Sequence, residues 1–126
     1  MFATPPKITS IVLWTINLSV MEDFYSSIGV GFNKGIQENG LEKLCYVNNN
    51  FKFELVEVKS ETEGSKNVEF DILIDEIDGY IEDIEVLGLD VLRKPWNEGS
   101  GRHIVFKDPD LHTVTLRSIF SAKQAK

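Results

Sequence analysis

A single cysteine, Cys45, leaves this sequence without an internal disulfide, which fits a reducing compartment. Two histidines, His103 and His112, are too few for a His-rich metal centre. Lysine and arginine number 13 against 20 aspartates and glutamates, for a net charge of -7. Binding nucleic acid needs clustered cations, so no nucleic-acid partner is expected. Apolar runs are short, Ile11 to Trp14 being typical, and fall far below the ~20 residues that span a bilayer. Met1 to Lys7 carries no apolar segment behind a basic one, so no secretory signal is expected and the cytoplasm is the expected location. Phosphate-binding loops, metal-type cysteine spacings and a Ser-His-Asp order are all missing.

What is present is an ordinary globular composition, 42% hydrophobic and 26% charged over 126 residues, enough for one domain. Ile8 to Ile16, β-branched and apolar, reads as a strand. Ser19-Val20-Met21-Glu22 then has the form of a capping box, opening a helix with Val20, Phe24, Tyr25 and Ile28 on its apolar side and Gly29 at its end. Strands are expected at Val30 to Ile36, Leu41 to Val47 and Phe51 to Val58, separated by Asn-rich turns. Residues 59–67, polar and alternately charged, read as a linker with nothing to bury.

The order then repeats. Val68 to Ile74 reads as a strand, and Asp75 as the cap of a helix carrying Ile77, Tyr80, Ile81, Ile84 and Leu87 up to Gly88. Strands at Asp90 to Arg93, Arg102 to Lys107 and Thr113 to Ile119 complete it. The fold class is therefore α+β, with two tandem βαβββ modules (about 8–58 and 68–119) in a single domain. A plainer alternative is an α+β sheet with two unrelated helices.

Alternation assigns the faces. Ile11 and Leu13, Phe53 and Leu55, Phe70, Ile72 and Ile74, Ile104 and Phe106, and Val114 and Leu116 should face the helices. The opposite faces carry Ser10, Val12 and Trp14; Lys52, Glu54 and Val56; Glu69, Asp71 and Leu73; His103 and Val105; and Thr113, Thr115 and Arg117. Such a face is either solvated or lines a ligand cavity.

Phe24-Tyr25 followed by Ile28-Gly29-Val30-Gly31-Phe32, Pro95-Trp96, and Phe106-Lys107-Asp108-Pro109-Asp110 together resemble motifs of the vicinal oxygen chelate superfamily. That superfamily includes glyoxalase I, extradiol dioxygenases, and fosfomycin- and bleomycin-resistance proteins. The resemblance implies curved sheets whose concave faces hold a divalent metal through four side chains, usually His and Glu. Carried over, those positions fall on Ser10, Glu54, Glu69 and Thr115. Hydroxyls are poor ligands for Zn, Ni or Fe, so no metal cofactor is expected. The metal-free bleomycin-resistance branch, small acidic homodimers that sequester a cationic drug, is the nearer resemblance. It implies a homodimer with ligand clefts, and Pro5-Pro6 resembles the hinge by which N-terminal arms are swapped. One departure is Leu111 where the family has glycine, which puts the usual geometry of that turn in doubt.

The expected ligand is a small organic molecule, cationic or aromatic and antibiotic-like, lined by Trp14, Glu54, Glu69, Asp71, Trp96, His103 and Arg117. Each residue has a plainer role beside this one. Trp14 could pack in a dimer interface, and Trp96 could pin the Asn97-Glu98-Gly99-Ser100-Gly101 loop. His103 could act in proton transfer or be a hydrogen-bonded strand residue, while Arg117 could meet a ligand carboxylate or pair with Glu54 or Glu69. His112 is expected in an exposed turn, and Cys45 buried rather than reactive. The functional alternative to a binder is a divergent lyase, isomerase or dioxygenase with an oxygen-ligated metal such as Mg or Mn, using Glu54, Glu69 and Asp71.

Overall fold

The computed structural model describes residues 5–86 and 88–119. Leu87, and the Met1 to Thr4 part of the N-terminal reading, lie outside the described residues. The chain divides into two compact units, the first ending at Ser65 and the second starting at Lys66.

In the first unit, β1 (Ser10–Thr15) is followed by α1 (Leu18–Ser27), β2 (Asn33–Ile36), β3 (Glu42–Asn48) and β4 (Phe51–Glu57). The sheet order is β1-β4-β3-β2, with β1 parallel to β4 and the remaining pairs antiparallel. Leu13, Leu44, Phe53 and Leu55 are buried on the helix side. Tyr25 of α1 meets Phe53 edge-on, with ring centroids 5.2 Å apart. The helix departs from expectation in two ways. Its N-cap is Asn17, whose carbonyl accepts from Met21 N at 2.9 Å, so Ser19 lies within the first turn and does not cap. Met21 is fully buried whereas Val20 is 52% exposed, because starting the helix at Leu18 turns the apolar stripe onto Leu18, Met21, Phe24, Tyr25 and Ile28.

The second unit repeats the topology. β5 (Glu69–Leu73) leads to α2 (Asp78–Val86), then β6 (Val91–Glu98), β7 (Gly101–Lys107) and β8 (Thr113–Ile119), in sheet order β5-β8-β7-β6 with β5 parallel to β8. The tandem βαβββ pattern read from the sequence is thus present, as two four-stranded mixed sheets with one helix each. Ile77, Ile84, Ile104, Phe106, Val114 and Leu116 are buried. Asp75 does not cap α2, which begins three residues later.

Four local expectations are overturned in this part of the chain and its approach. The linker is ordered: Glu61–Glu63 form a 3-10 turn, and Ser65 bonds both backbone groups of Trp14, so the segment covers the free edge of β1. β6 runs on through Pro95 to Glu98, with register shifts between Val91 and Trp96 that accommodate the proline on an edge strand. The expected long loop after Trp96 shrinks to a tight turn in which Gly99 takes φ +60°. Finally, His112 is fully buried. Its Nδ1 accepts from Val68 N at 3.2 Å, and its own N–H donates to Asp108 Oδ1 at 2.9 Å. Leu111 adopts φ +69°, so the turn keeps a glycine-type conformation without glycine. Asp108 holds it there, accepting from Asp110 N and His112 N through its carboxylate and from Leu111 N through its carbonyl.

No described helix is long and apolar enough to cross a membrane.

Candidate functional site

Each sheet has one face without a helix, and every residue expected in the site lies on such a face. In the first unit, register places Val12 of β1 opposite Glu54 of β4, with Cys45 of β3 on the other side of Glu54. Cys45 and Glu54 are both half-buried, so the cysteine is less enclosed than expected. Trp14, two residues along from Val12, is half exposed and stands opposite Val56. With Leu41, Val56, Val58, Glu57 and Lys59 it borders an open hollow of about 350 Å³.

The second unit carries the remaining five residues, and they separate into two groups. Glu69 and Asp71 are exposed on the edge strand β5, opposite Thr113 and Thr115 of β8, around a hollow of about 360 Å³. Farther along the same face, register aligns four residues in one row: Leu73 of β5, Arg117 of β8, His103 of β7 and Trp96 of β6. Trp96 and His103 stack, with centroids 5.1 Å apart and planes 22° from parallel. The Arg93 guanidinium lies over the same indole, 3.6 Å from its centroid. His103 Nε2 donates to Glu98 O at 3.3 Å, which fixes the tautomer and steadies the ring against the indole.

Arg93 is the residue that sequence reasoning missed. Ending the strand at Arg93 hid that Pro95 only bulges it, leaving Arg93 and Trp96 on one face. The ion pair expected for Arg117 is not formed among the described residues, where the salt bridge is Arg102 with Asp78 at 3.0 Å. Glu69 stands opposite Thr113, four residues along β8 from Arg117, which is too far for the pair.

The donor set does not fit the metal that the sequence resemblance implies. Among the described residues no three His, Cys, Asp or Glu side chains gather. Ser10 stands opposite Lys52, a cation, and Thr115 offers only a hydroxyl.

No family model matches the sequence, and no curated protein matches it. Solved structures do. The antibiotic binding protein TnmS3 from Streptomyces sp. CB03234 is similar at TM-score 0.69 and 19% identity, covering 95% of this chain and 100% of that one. A glyoxalase/dioxygenase from Nostoc punctiforme gives TM-score 0.71 and 16% identity over 91% and 92% of the two chains. Lactoylglutathione lyase from Agrobacterium tumefaciens gives 0.63 and 15% over 90% and 94%. The chain therefore shares with these proteins the glyoxalase/bleomycin-resistance fold. Binders and enzymes share that fold, so function must be argued from the site.

Proposed function

We propose that a chain of this fold serves here as a metal-independent binding protein for a small ring-bearing organic molecule, sequestered on the open face of the second sheet in the manner of an antibiotic-like compound. The observation that carries this reading is the Trp96–His103 stack, a flat aromatic tier built on two paired strands and aimed away from the core. Rigid ring surface on a strand is suited to stacking a planar ligand at little cost in ordering. Similarity to an antibiotic binding protein over nearly the whole of both chains supports it further. Metal independence is supported by the hydroxyls of Ser10 and Thr115, and the lysine opposite Ser10, at positions where the resemblance implies metal ligands. The cationic ligand expected from sequence rests on Glu54, Glu69 and Asp71, of which Glu69 and Asp71 are exposed to screening by salt. The working unit in this reading is a homodimer in the cytoplasm, and its mass in solution checks the first of these.

The test is a thermal-shift screen of planar polycyclic compounds on protein dialysed against a strong chelator. Stabilisation that survives the chelator and disappears in Trp96→Leu is the expected result. Stabilisation that requires added Mg or Mn would replace the binder with an enzyme using an oxygen-ligated metal.

A further inference from the structure

The row Leu73, Arg117, His103 and Trp96 is rich in hydrogen-bond donors and itself contains no carboxylate, Glu98 lying beside it on β6. Trp96 Nε1 is buried and has no acceptor among the described residues. Buried polar groups are ordinarily paired, so this N–H points to an acceptor that the chain does not supply. Arg117 lies directly opposite His103, on the same face, and its guanidinium forms no ion pair among the described residues. Arg93 covers the indole and forms no ion pair there either. This is not for want of carboxylates, because the chain has 20 Asp and Glu against 13 Lys and Arg. Two arginines and one orphaned indole N–H therefore share one face of the β6-β7-β8 sheet, and neither arginine forms an ion pair among the described residues.

Apolar surface adjoins these donors. Leu73, 54% exposed, stands opposite Arg117, and Ile119, 52% exposed, lies two residues farther along β8. The row from Leu73 to Trp96 spans three strand spacings, about 14 Å, the size of a two- or three-ring molecule. The Arg93 side chain is exposed and long, so the cover over the indole is also the part free to move.

We propose that the β6-β7-β8 part of this face takes a planar aromatic carboxylate, its ring on the Trp96–His103 tier and its carboxylate on the Arg117 guanidinium, with Arg93 closing over it. The proposal rests on the binder reading above and reverses the sign of charge that the sequence suggested. A guanidinium recognises a carboxylate through two parallel N–H donors, and half-burial of Arg117 protects those bonds from water. His103 acts as a positioning residue: its Nε2–H is committed to Glu98 O, and its ring supports the indole.

The test compares three probes of one ring system by calorimetry: naphthoate, naphthamide and naphthylmethylammonium. Naphthoate should bind most tightly. Arg117→Gln should weaken naphthoate at least about tenfold, the loss of a charge-assisted pair, while leaving naphthamide unchanged. Arg117→Lys should recover part of the difference, which a fold defect would not allow. In ¹⁵N spectra, naphthoate should shift the Trp96 indole N–H resonance. Equal binding of all three probes, tightest binding of the cation, or naphthoate affinity indifferent to Arg117→Gln would overturn the carboxylate assignment and leave the binder standing. If none of the three probes binds, both readings fall.

Discussion

Trp96 and His103 stand opposite each other across the β6-β7 pair, their rings stacked at 5.1 Å, in a strand that a proline interrupts one residue earlier. The bulge at Pro95 is what makes this possible, since it returns the strand to register in time to face the histidine. The hydrogen bond from His103 to Glu98 O then holds the imidazole in place.

Trp14 and Trp96 are the two indoles of the chain, so Trp14→Phe leaves Trp96 as the sole reporter. Its emission should change when a planar ligand binds, and should shift in the free protein when His103→Ala removes the stacked ring. The same His103→Ala change should cost at most about 1.5 kcal/mol of stability in urea, the worth of one aromatic pair. An emission spectrum indifferent to both would show that the tier does not form.

Helix α1 offers a paired test of its own register. Met21→Ala should cost about 2–5 kcal/mol, because the side chain is fully buried and its removal opens a cavity. Val20→Ala, one residue away and 52% exposed, should stay within about 0.5 kcal/mol. Equal costs in denaturant melts would restore the stripe that begins at Val20.

In the β7-β8 connection, Leu111 holds φ +69° with its side chain 63% exposed. Leu111→Gly should raise stability by about 1 kcal/mol, since the left-handed conformation strains every residue with a Cβ. His112→Leu should lower it by about 1–3 kcal/mol, because the half-buried Val68 N–H loses its acceptor. Chemical denaturation of both variants would check the pair of signs.

Gly101 opens β7 where a Cβ would meet Ser118 O at 2.6 Å, a backbone atom of the neighbouring strand. Gly101→Ala should therefore cost about 1–3 kcal/mol through forced displacement of the β7-β8 ladder. Gly99→Ala, where nothing crowds the added carbon, should cost only the strain of φ +60°. Comparable losses would mean that conformation and not contact governs this hairpin.

Much of the architecture was legible in the chain because it depends on local alternation. Apolar-polar alternation in Val114, Thr115 and Leu116 set the helix-side face of β8, and Val114 and Leu116 are buried there with their β7 neighbours Phe106 and Ile104. Gly29 and Gly88, where the two helices were expected to end, both adopt positive φ. The duplicated order of elements followed from those signals alone. It also assigned Trp14, Glu54, Glu69, Asp71, His103 and Arg117 to faces without a helix, where they are found.

What tertiary structure decided was everything set by a partner distant in sequence. His112 looked like a turn residue, but Val68, 44 positions earlier, donates into its ring and draws it inside. Residues 59–67 looked free, but the backbone of Trp14 needed partners along an open edge, and Ser65 meets it. Arg93 looked like the last residue of a strand, but pairing with Val105 carries the strand past Pro95 and brings its guanidinium over Trp96. Periodicity fixes which face a side chain occupies. Only the register between strands fixes which side chains meet on that face, and so the donors around Trp96 could not be gathered from the sequence alone.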